Sequence, residues 1–222
     1  MPRIVLASAS PSRLRLLRMV GIEPEIIVSG VDEESDEYRS LSPSELVVAL
    51  AIVKAHTVAN SLLAQGRIDD DLIVIGCDST FEFEGKSLGK PGTRERSIER
   101  SRLVQGRSGI LHTGHCLIDL RIESASDTDA MREYSDIAST RVHFATMSED
   151  EISAYAATGE PLNVAGGFTL DGLSAPFIRA IEGDWSNVIG LSLPLIKSAI
   201  DSFGYRWFEI ATNANPHEMG SP

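Results

Sequence analysis

The sequence predicts an α/β protein in which helices flank a long mixed β-sheet. Short runs of β-branched residues, the clearest of which is Leu72–Ile75, are typical of strands buried on both faces. Other segments alternate apolar and polar residues, as antiparallel strands with one solvated face do. Two helix starts place a serine directly before a proline, which is a strong N-terminal signal. Buried strands, alternating strands and capped helices together favour a mixed sheet.

Composition and charge restrict the kinds of partner. The chain has 222 residues, of which 42% are hydrophobic and 23% charged, as in an ordinary soluble globular protein. Its 20 basic and 32 acidic residues give a net charge of −12, which argues against binding to nucleic acid polymers or anionic membranes. No apolar run approaches the roughly 20 residues of a membrane span, and no signal peptide is recognisable, so a cytoplasmic protein is expected. Cys77 and Cys116 lack a partner pattern and are expected to be reduced thiols.

The first strand and helix form a candidate anion site. Arg3–Ala7 is predicted to be a buried strand, and a helix is predicted to start after the N-cap Ser10 and to end at Gly21. A strand, a hydroxyl-rich turn and a helix N-terminus suit a phosphate group, with Ser8, Ser10 and Arg13 as additional donors. The alternative is an ordinary capped helix with a solvated arginine.

The next segments add a second strand, an acidic loop and a long helix. Glu25–Val28 is predicted to be a strand, and the acidic run after it is either a solvated loop or the source of Glu33 as a ligand for Mg²⁺ or Mn²⁺. A second serine–proline pair predicts a helix to about Leu63. The residues expected on one apolar face are Leu46, Leu50, Val53 and Thr57. Lys54 is a cation in this apolar helix, and the alternative to a functional role is that its ammonium group reaches solvent.

The central strand and the hairpin after it are predicted to form the centre of the site. The strand is predicted to stop near Gly76, which would place Asp78 at the carboxyl edge of the sheet, where open α/β folds bind ligands. A hairpin turning at Glu84–Gly85 would bring Lys90 back toward Asp78. An acid and a lysine so placed could hold a metal ion and a phosphate side by side. The alternative is a surface turn with an ordinary exposed lysine.

The second half of the chain continues with strands and helices. The predicted elements are a charged helix over Thr93–Leu103, strands over Ile110–Asp119 and Ser135–Ala145, a helix from Ser148 to Gly159, a glycine-rich loop and strand over Glu160–Gly172, strands over Phe177–Ile181 and Val188–Leu191, and a helix over Pro194–Phe203. Glu123–Glu133 is predicted to be a hairpin tip or loop. His112 and His115 would point to opposite faces of their strand, which makes them poor joint metal ligands. One domain is predicted over residues 1–212, with a loose tail over residues 213–222.

Several short motifs, spread in order over nearly the whole chain, resemble those of the Maf family. They are SASPSRLRLL at the start, VDE at Val31–Glu33, KA at Lys54–Ala55, GCDS at Gly76–Ser79, GKP at Gly89–Pro91, EPLNVAGGF after Gly159, and NVIGL near the end. The resemblance implies a fold like that of inosine triphosphate pyrophosphatases, with two lobes and a central cleft. It also implies a cytoplasmic enzyme that hydrolyses nucleoside triphosphates to the monophosphate and pyrophosphate with a divalent metal.

The resemblance further implies roles for individual residues. Asp78 matches the proposed catalytic acid of the family, where it would hold Mg²⁺ or Mn²⁺ together with Glu33 and orient the attacking water. Three cations match positions of the polar pocket that would neutralise the phosphates: Arg13, Lys54 and Lys90. The Ser8–Ser10 turn would bind the phosphates as well. The rival hypothesis is a nucleotide-sensing regulator of cell division that binds without turnover, and retention of the acid beside the lysines favours the enzyme. A homodimer is one open option for the oligomeric state.

Departures from the family pattern concern the choice of base. Ser12 stands where the family usually has the first of two arginines after the proline, and Arg13 retains the other. Ser79 and Asp171 stand where the branch selective for dTTP and UTP has a threonine and a glutamine. An ionised carboxylate only accepts hydrogen bonds, whereas a glutamine amide also donates them. The sequence therefore predicts a substrate range beyond dTTP and UTP, modified nucleotides included.

Overall fold

A seven-stranded mixed sheet runs through the part of this computed structural model that is described, residues 2–67, 71–121 and 131–211. The strands are β1 (Arg3–Leu6), β2 (Glu25–Ile26), β3 (Leu72–Phe83), β4 (Lys86–Leu88), β5 (Ser108–Asp119), β6 (Arg132–Phe144) and β7 (Ile178–Glu182). Their order is β2-β1-β3-β5-β6-β7, and β4 also pairs with β3. β1 is parallel to β2 and β3, and every other pairing is antiparallel. The predicted α/β class with a mixed sheet is confirmed.

Seven α-helices accompany the described strands. They are α1 (Pro11–Met19), α2 (Pro43–Ala64), α3 (Arg94–Val104), α4 (Glu149–Ala157), α5 (Trp185–Ile189), α6 (Leu193–Ser202) and α7 (Trp207–Ile210). The predicted helix starts are confirmed because the N-cap serines Ser10, Ser42 and Ser148 each accept a backbone N–H three residues further on. Ser42 and Ser148 also complete capping boxes with a glutamate. These ends are determined by bonds between residues close in sequence.

Strand β3 does not stop at Gly76, contrary to the prediction. β5 pairs with β3 without a break from Ile73 to Glu82, so the strand continues through Asp78. Gly76 marks a close approach of helix α2 rather than a strand end, since a β-carbon there would lie 2.3 Å from the carbonyl oxygen of Ala51. The pairing of β1 with β3 ends at Ile75. Asp78 therefore still lies just beyond the carboxyl end of the parallel strand pair.

Gly76→Ala is expected to destabilise the protein strongly. The added carbon would lie 2.3 Å from the carbonyl oxygen of Ala51 and 2.7 Å from the amide nitrogen of Ala55, so α2 must move off the sheet. Urea denaturation should show a loss of roughly 2–3 kcal/mol in the free energy of unfolding. Gly89→Ala is the matched control because an added carbon there has nothing within 4 Å. Equal stability of the two variants would contradict this packing.

Helix α2 is a core helix whose buried face differs from the prediction. Its buried residues are Val47, Leu50, Ala51, Lys54, Ala55, Val58, Ala59 and Leu62, so only Leu50 of the four predicted residues is buried. The helix is apolar nearly all round, and its orientation is set by the sheet, where Gly76 and Gly114 leave room for its backbone. Among the described helices α2 alone is long and apolar enough to span a membrane, contrary to the expectation from the sequence. It packs against β3 and β5 instead.

Three clusters of buried apolar side chains surround the sheet. The first packs α1, α6 and α7 against one face of β3 around Ile75, and the second packs α2 against the opposite face around Val74. The third surrounds Phe81 in the second half of β3, where Phe144 and Phe168 meet its ring edge to face. Asp78 lies along β3 between the first two clusters and the third.

The predicted strand over Val188–Leu191 is wrong, because the chain there forms helix α5. Asp184 caps the helix by accepting the N–H of Ser186, and Gly190 ends it with a left-handed φ of 114°. The β-branched pair Val188–Ile189 favours a strand by propensity alone. The helix forms instead because Asp184 and Gly190, which flank the pair, cap its two ends.

The predicted strand in the glycine-rich segment is also wrong. Residues Glu160–Asn163 and Ala165–Gly167 form 3₁₀ turns. Gly166 and Gly167 have φ values of 73° and 75°, which an extended strand does not contain. The second predicted strand is shorter than expected, at Glu25–Ile26. The loop predicted over Glu123–Glu133 lies outside the described residues up to residue 130, and at its end Arg132 and Glu133 belong to β6 instead. The predicted tail at 213–222 also lies outside the described residues.

Candidate active site

The candidate site occupies a gap along one edge of β3. On that edge β1 pairs with Leu72–Ile75 and β4 pairs with Phe81–Phe83. Within the described part of the chain, the stretch between them, Gly76–Thr80, has no strand partner on this side. The turn before α1 follows β1 directly, and the chain leaving β4 runs back along the same edge. Backbone and side chains from several elements therefore face one opening.

The β3–β4 hairpin is formed as predicted. Its turn contains Glu84 and Gly85, both with positive φ, and Leu88 lies opposite Phe81. Lys90 follows two residues further on and is exposed. The register confirms the hairpin, and the return of Lys90 to Asp78 stays a prediction; the charge of Lys90 acts on Glu33.

Lys54 holds two carboxylates together at the centre of the site. Its Nζ lies 2.6 Å from Oε1 of Glu33 and 2.7 Å from Oδ1 of Asp78, and the lysine side chain is only 8% exposed. The sequence left open the alternative that the ammonium group of Lys54 reaches solvent, and this alternative is wrong. The structure brings three predicted residues together from the acidic loop, from α2 and from β3.

The two carboxylates differ in their affinity for a proton. Burial raises the pKa of Asp78 above its ordinary value, and the charges of Lys54 and Arg13 oppose this rise without cancelling it. Burial also acts to raise the pKa of Glu33, but the hydrogen bond and charge of Lys54, with the charges of Lys90 and Arg13, lower it overall. Carboxylates with pKa values displaced in opposite directions suit separate acid–base roles. The lowered pKa favours the ionised form of Glu33, and Asp78 is the carboxylate suited to accept a proton.

Arg13 is a buried cation bound only by neutral acceptors. Its Nε donates to the carbonyl of Gly190 at 2.7 Å, Nη1 to Ser8 Oγ and the carbonyl of Cys77 at 2.9 Å each, and Nη2 to Ser79 Oγ at 3.0 Å. The alternative of a solvated arginine is wrong, since the residue is 8% exposed. Among the described residues it forms no ion pair. A buried cation without a carboxylate partner favours an anionic ligand.

The Ser8–Ser10 turn presents two hydroxyls to the same opening. Ser8 Oγ accepts the N–H of Ser10 and an N–H of Arg13, and Ser10 Oγ accepts the backbone N–H of Arg13. In these bonds each oxygen is an acceptor, so each hydroxyl hydrogen is left to donate. The turn can therefore donate hydrogen bonds to a phosphate, as predicted from the sequence.

The three predicted specificity residues do not form one group. Ser79 contacts Arg13 and lies 2.9 Å from Thr113 Oγ1 on the neighbouring strand. Ser12 and Asp171 instead meet at Arg15, whose Nη2 lies 3.0 Å from Ser12 Oγ and 2.6 Å from Asp171 Oδ2. Sequence reasoning missed Arg15, although its place one helical turn after Ser12 puts both on one face of α1. It missed Thr113 because only strand pairing brings that residue to Ser79.

The remaining histidines and cysteines do not add to the site. His112 contacts Glu82 and Ser139, whereas Nε2 of His115 accepts the N–H of Ser192 on the other face, which confirms their predicted opposite directions. Burial lowers the pKa of His115 to about 3, so this imidazole is neutral near pH 7. Cys77 and Cys116 are free and buried, and burial raises the pKa of their thiols to about 11 and about 12.

Comparison with known proteins identifies the family of this chain. The family model described as Maf-like protein matches residues 3–203. The chain belongs to the Maf family. It is 48% identical to the nucleoside triphosphate pyrophosphatase of Streptomyces avermitilis, with 91% of each chain aligned, and 41% identical to that of Prochlorococcus marinus, with 90% of this chain and 97% of the relative aligned. The solved Staphylococcus aureus Ham1 protein aligns with 90% of this chain and 99% of its own, at 14% identity and a TM-score of 0.45.

In this Maf-family chain, Glu33 and Asp78 are the residues suited to a metal ion. In the described ranges, no group of three or more His, Cys, Asp and Glu side chains could hold a metal by itself. Each of the two carboxylates uses one oxygen for Lys54, which leaves Oε2 of Glu33 and Oδ2 of Asp78. Mg²⁺ is commonly bound by one or two carboxylates together with substrate phosphates. The donor set therefore fits a hard divalent cation that shares ligands with a phosphorylated substrate.

Proposed function

We propose that this protein is a nucleoside triphosphate pyrophosphatase, which hydrolyses nucleoside triphosphates to the monophosphate and pyrophosphate. The observation that carries the proposal is the pairing of a carboxylate that can accept a proton, Asp78, with the cations Lys54 and Arg13 at one opening of the sheet. A chain with a net charge of −12 needs such a local cluster to bind a polyanion. The two relatives named above, both nucleoside triphosphate pyrophosphatases, support the same reaction.

Substrate binding is assigned to the cations and to the first turn. Arg13 lacks an ionic partner in the described residues, so phosphate oxygens would supply the negative charge it lacks. Lys54 is already shared by two carboxylates, and Lys90 approaches from the hairpin as an exposed cation. The hydroxyls of Ser8 and Ser10 add donors beside Arg13. Positioning and charge neutralisation supply most of the catalysis in phosphoryl transfer, which suits this set of residues.

The chemical step is attack of water on the α-phosphorus. A bond forms between the water oxygen and phosphorus while the bond from phosphorus to the oxygen bridging the α- and β-phosphates breaks, and pyrophosphate leaves with that electron pair. Asp78 accepts the proton that the water loses. Its raised pKa makes it a better proton acceptor than an exposed aspartate, provided that it is ionised when the substrate binds.

A divalent cation, Mg²⁺ or Mn²⁺, would be held by Asp78 and Glu33, and when bound it would neutralise charge on the phosphate oxygens. Glu33 keeps Lys54 in place, because its lowered pKa holds it ionised over the whole neutral range.

The direct test is to incubate the purified protein with nucleoside triphosphates and Mg²⁺ and to measure the products. We expect one monophosphate and one pyrophosphate for each triphosphate consumed. Release of orthophosphate and a nucleoside diphosphate would place the cleaved bond elsewhere. Binding of nucleotides without any product would favour a nucleotide-sensing regulator instead.

The range of bases is expected to extend beyond dTTP and UTP. Asp171 is an acid bound to Arg15, so this position cannot offer the two-way hydrogen bonding of a glutamine. We expect kcat/KM for dTTP and UTP to exceed that for other nucleoside triphosphates by less than about a hundredfold, or about 2.7 kcal/mol. Asp171→Gln, the matched variant, should move the preference toward dTTP and UTP. A strict preference in the unaltered protein would contradict this prediction.

We further propose that the protein acts in the cytoplasm on free nucleotides. Two buried, unpaired cysteines suit a reducing compartment. The homodimer stays a prediction, and sedimentation analysis of the purified chain would test it.

A further inference from the structure

The arginines of helix α3 divide into two pairs with different surroundings. In the sequence its arginines alternate with glutamates, a pattern typical of a solvated face with local ion pairs. Arg102 instead pairs with Glu149 of α4 at 2.5 Å, and Arg94 donates to a backbone carbonyl of α4. In the described part of the chain, Arg96 and Arg100 form no ion pair. Two cations on one face of α3 are therefore left without a carboxylate.

Arg100 is held against the GKP segment. Its Nη1 donates to the carbonyl oxygen of Gly89 at 2.6 Å. Its aliphatic stem is close to Gly167, where an added β-carbon would lie 3.6 Å from Cγ of Arg100 and 3.0 Å from Cγ of Pro91. The residue is half-buried, and burial together with the charge of Arg96 lowers its pKa. A partly desolvated guanidinium bound only to a neutral carbonyl resembles the situation of Arg13.

The position of Arg100 relates it to the outer part of the triphosphate. Gly89 directly precedes Lys90, whose charge acts on Glu33. Lys54 and Arg13 surround Asp78, where the α-phosphorus would be attacked, whereas Lys90 and Arg100 lie further along the chain leaving β4. Lys90 and Arg100 thus add positive charge in addition to the two cations that act on Asp78. A triphosphate needs such additional charge, because the charge of the leaving pyrophosphate lies beyond the attacked phosphorus.

We propose that Arg100 binds the pyrophosphate end of the substrate and, through the carbonyl of Gly89, positions Lys90. This inference rests on the proposed hydrolysis of nucleoside triphosphates. The guanidinium has five N–H donors, and one of them is bonded to the carbonyl oxygen of Gly89. The other donors can bind phosphate oxygens. Arg96 on the same face adds positive charge to the same region.

The test compares Arg100→Met with Arg102→Ala. Methionine keeps an apolar stem beside Pro91 and Gly167 and removes the guanidinium, and Arg102 is the matched control because it lies on the same helix but pairs with Glu149. Two quantities are measured in the same Mg²⁺ buffer: the dissociation constant of pyrophosphate by calorimetry, and kcat/KM for nucleoside triphosphates. For Arg100→Met we expect pyrophosphate binding and kcat/KM each to weaken about thirtyfold. For Arg102→Ala we expect changes of less than about twofold.

Two further measurements separate binding from structure and from the proposed reaction. Added guanidinium ion should partly restore pyrophosphate binding in Arg100→Met, which a loss of folding would not allow, and Arg100→Lys should weaken binding less than the methionine variant does. Pyrophosphate affinity needs no turnover, so an Arg100-dependent affinity without any hydrolysis would overturn the proposed function and leave this inference standing. Unchanged pyrophosphate affinity in Arg100→Met would overturn the inference itself.

Discussion

Asp78→Asn is expected to lower kcat/KM by about a thousandfold while the protein stays folded. Asparagine keeps the shape of the side chain but can neither accept the proton of the attacking water nor offer a metal ion a negative charge. Lys54 keeps Glu33 as its counter-ion, so the change does not leave this lysine without an acid. Burial raises the pKa of Asp78, which means that its charged form is unfavourable in the folded protein. The variant should therefore melt no lower than the unaltered protein.

The measurement is steady-state pyrophosphate release over a range of Mg²⁺ concentrations, with melting temperatures recorded in parallel. Asp136→Asn, which alters an exposed carboxylate of β6, is the control for a general loss of charge. Turnover at the original rate with an unchanged metal dependence in Asp78→Asn would sink the assignment of the acid.

Lys54→Met is expected to lower kcat/KM at pH 7 by about a hundredfold and to move the acid limb of the pH profile upward. The charge of Lys54 opposes the effect of burial on Asp78, so its removal raises the pKa of Asp78 further. At a given pH, more of the variant then carries a neutral Asp78 that cannot accept a proton. Activity should therefore keep rising with pH over a range in which the unaltered protein has levelled off.

The pH dependence of the stability of Lys54→Met should be displaced upward in the same way as its activity profile. Because the pKa of Asp78 is higher in the folded than in the unfolded state, the stability that its neutral form provides is present at acid pH and is lost as pH rises through the folded value. Lys54→Arg keeps the positive charge and is the matched control, with an acid limb close to that of the unaltered protein. Coincident acid limbs for the methionine and arginine variants would show that Lys54 does not control the proton affinity of Asp78.

Features that depend on neighbours in the chain were predictable from the sequence. The caps at Ser10, Ser42 and Ser148 bond to residues three positions away, so the residues that form them appear together in the sequence. The β3–β4 hairpin has the same origin, since its turn residues Glu84 and Gly85 lie between the paired strands.

Features that depend on partners distant in the sequence were decided only by the tertiary structure. Arg13 and Gly190 are separated by 177 positions, yet their hydrogen bond is part of what makes Arg13 a buried cation rather than a solvated one. The face of α2 that is buried, and with it the placement of Lys54 between two carboxylates, depends on the space that Gly76 leaves in the sheet. Periodicity and propensity predict neither the burial of Arg13 nor the buried face of α2. The residue pattern of an almost wholly apolar helix is compatible with several orientations against a sheet. Residue types near the site were therefore predictable, whereas their burial, pairing and proton affinity depend on long-range packing.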